Sequence, residues 1–256
     1  MITLLSDWKL RDPYIGIFKG QLLKLLPNEQ IVDITHHLEL FNLSQTAFIA
    51  KNSYPFFPEK TLHIILSGLS FSPEMKPVLV MHNKHFFLGE DTGVFSMMFG
   101  TENIEAYQYN GDISLSTTEK LASMASLVFQ NTYSRQTTPY SNLKFQLSIL
   151  PEPDDYFEER KMITGKIAYI DSCCNAITNI PISMFEKAGK REFEAIVSSD
   201  VRPLIIKSCH PCYNPKESEV FLVYNRLGFL EITLYEGNIA ALADIKVGNN
   251  IEIRFK

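Results

Sequence analysis

The sequence has no apolar run that reaches the roughly 18 residues of a membrane-spanning helix. Its N-terminus enters a strand-like run at once and lacks the basic-then-apolar form of a signal peptide, so a cytoplasmic location is the expectation. There is no internal repeat and no low-complexity tract. Positive charge is in short supply: 24 Lys and Arg stand against 29 Asp and Glu, for a net charge of -5. That balance argues against a nucleic-acid binder relying on phosphate neutralisation. Cysteine is confined to Cys173, Cys174, Cys209 and Cys212, expected as reduced thiols rather than a disulfide framework. What is present is apolar residue: 45% of 256 positions, with 21% charged. A sizeable core follows, in one large domain or two small ones, and the composition argues against disorder.

Residues 1–150 alternate strand-like and helix-like runs. Ile2 to Leu5, Ile31 to Ile34 and Leu62 to Leu66 read as strands. Pro77 to Met81 and His85 to Leu88 read as two more around the turn His82-Asn83-Lys84. Ile17 to Leu26, Leu43 to Asn52, Thr92 to Phe99 and Thr117 to Gln130 have helical spacing. Asn42 or Ser44 is suited to cap the second of these, and Thr117 or Thr118 the last. The alternation predicts an α/β domain with a mostly parallel sheet covered on both faces. Pro151-Glu152-Pro153-Asp154-Asp155 suits a linker, assigned to 151–164. Residues 165–256 are rich in short strands: Gly165 to Ile170, Phe193 to Val197, Glu219 to Tyr224, Leu230 to Leu234 and Ile251 to Phe255. Helical signal there is short, around Ser183 to Ala188 and Ala240 to Ala243. A smaller C-terminal β domain, barrel or sandwich, is expected.

Asp7 is the first candidate ligand contact. It follows the first strand directly, and the carboxyl ends of strands are where open α/β sheets place ligands. A helix-capping or turn role competes equally on the local sequence.

Three patterns then come into register: Ser6-Asp7, Asp12-Pro13-Tyr14, Gly16 and Lys19-Gly20; Ile31-Val32-Asp33-Ile34-Thr35-His36; and Tyr54-Pro55-Phe56-Phe57-Pro58. The later half adds Gly165-Lys166-Ile167-Ala168-Tyr169-Ile170-Asp171 with Asn175 and Thr178-Asn179-Ile180. It continues with Asn225, Gly228, Leu230-Glu231-Ile232 and Lys246-Val247-Gly248. In this order they resemble the S-adenosyl-L-methionine (SAM) hydroxide adenosyltransferases, relatives of the fluorinating and chlorinating adenosyl enzymes. The resemblance implies an N-terminal α/β domain and a C-terminal β-barrel. It also implies a homotrimer, with ligand held between the large domain of one subunit and the small domain of its neighbour. The implied reaction is SAM and water to adenosine and L-methionine. No cofactor or metal is implied beyond SAM itself as substrate or ligand, and no nucleic-acid or membrane partner.

Carried over by position, Asp7 would accept both ribose hydroxyls, Asp171 would meet the methionine ammonium, and Asn175 would read the adenine edge. Without the resemblance, Asp171 and Asn175 are ordinary turn residues. Phe41 aligns with an aromatic that packs near the ligand, core being the equal alternative. Asn225 and Arg226 align with the segment that meets the methionine carboxylate; Arg226 would hold it or be a solvated surface charge.

The departures concern catalysis. The family's water-handling Asp, Arg and His fall on Gly68, Met75 and Ser116, none of which takes a proton from water. Lys76 and Glu74 are the polar neighbours that a shifted alignment would bring in. Thr117 matches a serine that helps hold the halide in halogenating relatives, although helix capping explains it fully. The expected activity is therefore SAM hydrolysis that is weak or lost, the alternative being an inactive SAM- or adenosine-binding sensory protein. Cys209-His210-Pro211-Cys212 with Cys173-Cys174 leaves zinc and redox pairing as minor readings. The six histidines form no ligand set, and structural roles are expected for them.

Overall fold

The computed structural model describes residues 1–100, 104–132, 134, 136–140, 145–146, 148–156, 161–189, 191–199, 202–213 and 219–256. Residues 157–160 of the expected linker lie outside them. The chain forms two compact units, Met1–Leu150 and Pro151–Lys256.

The first unit is built on β1 (Ile2–Ser6), β2 (Ile31–Thr35), β3 (Leu62–Leu66), β4 (Val78–His82), β5 (His85–Gly89), β6 (Glu105–Tyr109) and β7 (Thr137–Pro139). Their order in the sheet is β2-β1-β3-β5-β4-β6-β7. Every residue of β1 and β3 is buried, as expected of strands covered on both faces. Ile2, Leu4, Leu62, Ile64 and Leu66 join one core cluster, and Leu5 and Ile65 another. Helices α1 (Tyr14–Leu25) and α4 (Thr117–Phe129) pack together over the first face, and α2 (Leu43–Ser53) and α3 (Val94–Phe99) over the second. In α1, Ile15, Phe18 and Leu22 form the buried stripe. The helix opens at Tyr14, three residues before the expected start, because Pro13 already holds a helical φ of -74°.

The expectation of a mostly parallel sheet needs correcting. The β2-β1, β1-β3 and β3-β5 pairs are parallel, but β5-β4, β4-β6 and β6-β7 are antiparallel. For β5-β4 the cause is the two-residue turn Asn83-Lys84, where φ is +46° and +65°. So short a connection can only join antiparallel neighbours.

The second unit is one sheet of nine strands. Its centre is β9 (Met162–Ile170), flanked by β8 (Asp154–Tyr156), β10 (Ala176–Pro181) and β16 (Asn250–Phe255). The others are β11 (Phe193–Val197), β12 (Leu204–Ile206), β13 (Cys209–His210), β14 (Phe221–Tyr224) and β15 (Phe229–Thr233), and the path runs β12-β11-β16-β9-β10-β15-β14-β13. It curls into a half-barrel. Alternate residues Ile251, Ile253 and Phe255 of β16 enter its core. Part of the stretch read as a linker, Asp154–Tyr156, is sheet, paired with Met162–Thr164. No helix among the described residues is long and apolar enough to cross a membrane.

Candidate functional site

Asp7 stands at the carboxyl end of β1, between β2 and β3. The chain leaves β1 for β2 on one side and returns to β3 on the other, so β1 is a topological switch point, where a crevice opens. Asp7 is buried and caps no helix. Its Oδ2 accepts the backbone N–H of Phe41 (3.2 Å) and of Gly68 (3.1 Å), and the Ser67 hydroxyl (3.3 Å). Oδ1 has no protein partner among the described residues, while three donors fix the carboxylate through the other oxygen. Asp7 lines a cleft of about 560 Å³ that Trp8, Asp12, Phe71 and the start of α4, Ser116 to Thr118, also line. Trp8 and Phe71 pack with ring centroids 5.7 Å apart. An ionised carboxylate beside aromatic surface suits a vicinal diol on an aromatic heterocycle.

The other expected residues of this unit are placed as follows. Phe41 is not core: it is 66% exposed with φ of +59°, and its contribution to Asp7 is its backbone N–H. Gly68 also has positive φ, and a Cβ there would meet Leu43 at 2.9 Å; glycine fits because any side chain is strained. Met75 is buried in the first core cluster. Glu74 and Lys76 line a separate cavity of about 300 Å³ with Glu90 and Asp91, so neither reaches the Asp7 cleft. The expected cap of α4 shifts by one residue. Ser116 caps it, accepting from Glu119 N–H while the Glu119 carboxylate accepts Ser116 N–H, because the pair is spaced for a capping box. Thr117 is therefore the first helical residue, buried and on the cleft wall. The second helix is capped by Asn42.

In the second unit Asp171 to Asn175 form the turn between β9 and β10. Asp171 Oδ1 accepts the N–H of Cys173 (2.9 Å) and of Asn175 (2.8 Å). The Asn175 amide nitrogen donates to Asp171 Oδ2 and to the Tyr213 hydroxyl, each at 3.3 Å. Its oxygen accepts the Thr233 hydroxyl at 2.7 Å. Tyr213 donates in turn to Glu231 Oε1. Burial, then the Asp171 charge, holds the Glu231 carboxyl above the usual range, against the hydrogen bond from Tyr213. The Asn225 amide nitrogen lies beside that carboxyl, close enough to favour its ionised form but without completing a hydrogen bond. Asn225 Oδ1 accepts the N–H of Leu227 and of Phe229, a turn-forming role. Arg226 is exposed on that turn, with no ion pair among the described residues.

Sequence reasoning missed Tyr213, Thr233, Ser67, and Glu231 as a functional group. Glu231 carried a readable signal: a charged residue inside an otherwise apolar strand is seldom buried without a partner. The four cysteines are free thiols, and burial pushes Cys209 up to about 12. Among the described residues no three His, Cys, Asp or Glu side chains are grouped to hold a metal ion. His36 is buried with Nδ1 bonded to Ser6 (2.7 Å), and His63 is buried between Thr3 (2.7 Å) and His85 (3.1 Å).

The SAM hydroxide adenosyltransferase N-terminal domain matches residues 2–131, and the C-terminal domain of the same family matches 165–252. An (R)-S-adenosyl-L-methionine hydrolase from Methanocaldococcus jannaschii is 23% identical over 275 aligned positions, covering 99% of this chain and 95% of that one. A second, from Thermus thermophilus, is 25% identical over 96 positions, 38% of this chain and 37% of that one. Among solved structures, a conserved protein from Thermotoga maritima superposes with a TM-score of 0.85 at 21% identity, covering 99% of this chain and 100% of that one. A conserved protein from Thermus thermophilus gives 0.71 at 18% identity, covering 100% and 99%. At such identities the superpositions speak for the fold. With both domains matched across most of its length, the chain belongs to the SAM hydroxide adenosyltransferase family.

Proposed function

We propose that the cleft around Asp7 binds the adenosyl group of SAM or adenosine, and that hydrolysis of SAM to adenosine and L-methionine is weak or lost. The observation that carries this reading is the Asp7 carboxylate, fixed by three donors on one oxygen and lining an aromatic-walled cleft with the other unpaired. Two ribose hydroxyls would donate to it. Asp171 toward the methionine ammonium, Asn175 toward the base, Asn225 and Arg226 toward the methionine carboxylate, and Phe41 and Thr117 near the ligand complete the reading carried over by position.

In the reaction a water oxygen bonds to C5′ as the C5′–S bond breaks. The electron pair neutralises the sulfonium and a proton leaves the attacking water. The leaving thioether is neutral, so no acid is required; a base and an orienting group for water are. Gly68, Met75 and Ser116 hold the three family positions, and each has a structural task instead: a left-handed turn, core packing and a helix cap. That observation favours a second reading, a binding protein without turnover.

Purified protein incubated with SAM, with adenosine and methionine followed by chromatography, tests turnover. Calorimetry with SAM and adenosine tests binding. Product formation supports the first reading, and binding without product the second. Absence of binding at millimolar ligand overturns both. A homotrimer is proposed on the same resemblance, and a cytoplasmic location on the lack of a membrane-spanning run; a monomer in sedimentation velocity at working concentration overturns the trimer.

A further inference from the structure

The network around Glu231 has capacity that the reading above leaves unused. Thr233 donates to the Asn175 amide oxygen at 2.7 Å, which fixes the amide so that its nitrogen faces Tyr213. The Tyr213 hydroxyl accepts from that nitrogen at 3.3 Å and donates to Glu231 Oε1. One hydroxyl thus satisfies an N–H donor and a carboxyl acceptor set side by side. Glu231 is 3% exposed, whereas Tyr213 is 52% exposed. The pair is therefore built into the sheet and the phenol lies over it from the surface.

The edge of a 6-aminopurine offers the same complementarity as that hydroxyl: an exocyclic N–H donor next to a ring-nitrogen acceptor. Asn175 alone is poorly placed to serve both, because Thr233 already takes its oxygen. We propose that Glu231 accepts the exocyclic amine of an adenine base while Asn175 donates to the ring nitrogen, and that the Tyr213 hydroxyl competes with the base for these two groups. The proposal rests on the reading that the chain binds an adenosyl group, which the Asp7 cleft supports separately.

Competition lowers apparent affinity by the fraction of molecules in which the phenol has swung aside. A carboxyl acceptor also sets specificity. Inosine presents a 6-oxo acceptor where adenosine presents a donor, and would face Glu231 oxygen to oxygen.

Calorimetry of the full chain with adenosine and inosine decides the matter. Tyr213→Phe keeps the ring and removes the competing hydroxyl; it binds adenosine about tenfold more tightly than wild type. Wild type prefers adenosine to inosine by about 100-fold. Glu231→Gln narrows that preference at least about tenfold, since a carboxamide N–H can face the 6-oxo group. Adenosine affinity unchanged or weakened in Tyr213→Phe overturns the proposal, as does a preference that Glu231→Gln leaves intact. Should Glu231→Gln fail to fold, the Tyr213 variant decides alone. Wild-type adenosine binding that depends on Asp7, with the Tyr213→Phe result negative, sinks this proposal and leaves the parent reading standing. Binding to neither wild type nor Tyr213→Phe at millimolar nucleoside sinks both.

Discussion

Asp7 in the first unit and Asp171 in the second each directly follow a strand, buried throughout in the first case and half-buried at its end in the second, and backbone amides hold both. Their remaining valences differ. At Asp7 all three donors converge on Oδ2, so Oδ1 is left for a ligand. At Asp171 one oxygen takes two amides and the other takes the Asn175 side chain. The parallel crevice of the first unit presents its acid, while the hairpin turn of the second closes on its own. A carboxylate at a strand end is thus not one signal but two. The topology that follows the strand decides which it becomes: crossover connections splay the chain around Asp7, and a five-residue turn folds it back over Asp171.

The largest expected effect tests how far the segment from Ser67 to Pro77 has passed from chemistry to packing. Met75→Arg puts a cation into the core cluster that holds Leu66, Leu69 and Leu121. It is expected to lower the unfolding free energy by about 3–5 kcal/mol, read by urea denaturation. Restoring the family residues together, as Gly68→Asp with Met75→Arg and Ser116→His, would then unfold the unit before it restored hydrolysis. A stable, hydrolytic triple variant would show that the unit still has room for the catalytic set.

Next come the two carboxylates themselves. Asp7→Asn removes the charge offered to the ribose and weakens adenosine binding about 100-fold, with a small change in melting temperature. Asp171→Asn does the reverse: the turn loses charge-assisted bonds to two amides, so stability falls more than affinity. Equal affinity losses in both variants would break the contrast drawn here.

The units should also answer pH with opposite signs. Burial, with His85 alongside, pushes His63 in the first unit down to about 3 from its ordinary 6.5. Burial also lowers His85 and His82. The unfolded chain binds these protons first, so stability is complete above pH 6.5 and drains away as pH falls toward 3. The slope approaches about 1.4 kcal/mol per pH unit for one such group. Glu231 in the second unit is raised instead, so the folded form binds the proton more tightly. Its contribution is complete below the ordinary glutamate value of 4.5 and declines as pH rises through the folded value. Hydrogen exchange resolves the two: β1 and β3 lose protection between pH 6.5 and 4, while β9 and β15 do not share that loss. His63→Gln flattens the first slope.

The sequence made the parallel half of the first unit legible because its strands are continuous apolar runs and its helices carry clear stripes. Asp7 followed from strand-end placement. Of the antiparallel half, the pair around Asn83-Lys84 was legible and the outer strands were not. Glu105–Tyr109 and Thr137–Pro139 are short, and what makes them strands is pairing with β4 and with each other, not local pattern. Ala176–Pro181 in the second unit was missed for the same reason, since its middle residues Thr178 and Asn179 break the apolar run that β15 supports from alongside. At the site, residue types were readable but commitments were not. That Asn175 spends its amide on Asp171, Tyr213 and Thr233 depends on residues 38 and 58 positions away, which no local motif encodes.

The smallest expected effect separates a cap from a contact. Ser116 lines the Asp7 cleft, yet its hydroxyl is engaged with Glu119, and α4 begins from that box. If capping is its whole task, Ser116→Ala lowers the unfolding free energy by about 1 kcal/mol. Adenosine affinity then stays within about threefold, because one turn of fraying moves Thr117 and Thr118 without removing a ligand partner. Urea denaturation and calorimetry on the same sample give both numbers. A tenfold loss of affinity with stability unchanged would mean that the hydroxyl leaves Glu119 for the ligand. The first unit would then offer a ligand the Ser116 hydroxyl as well as the Asp7 carboxylate from which its contrast with the second unit is drawn.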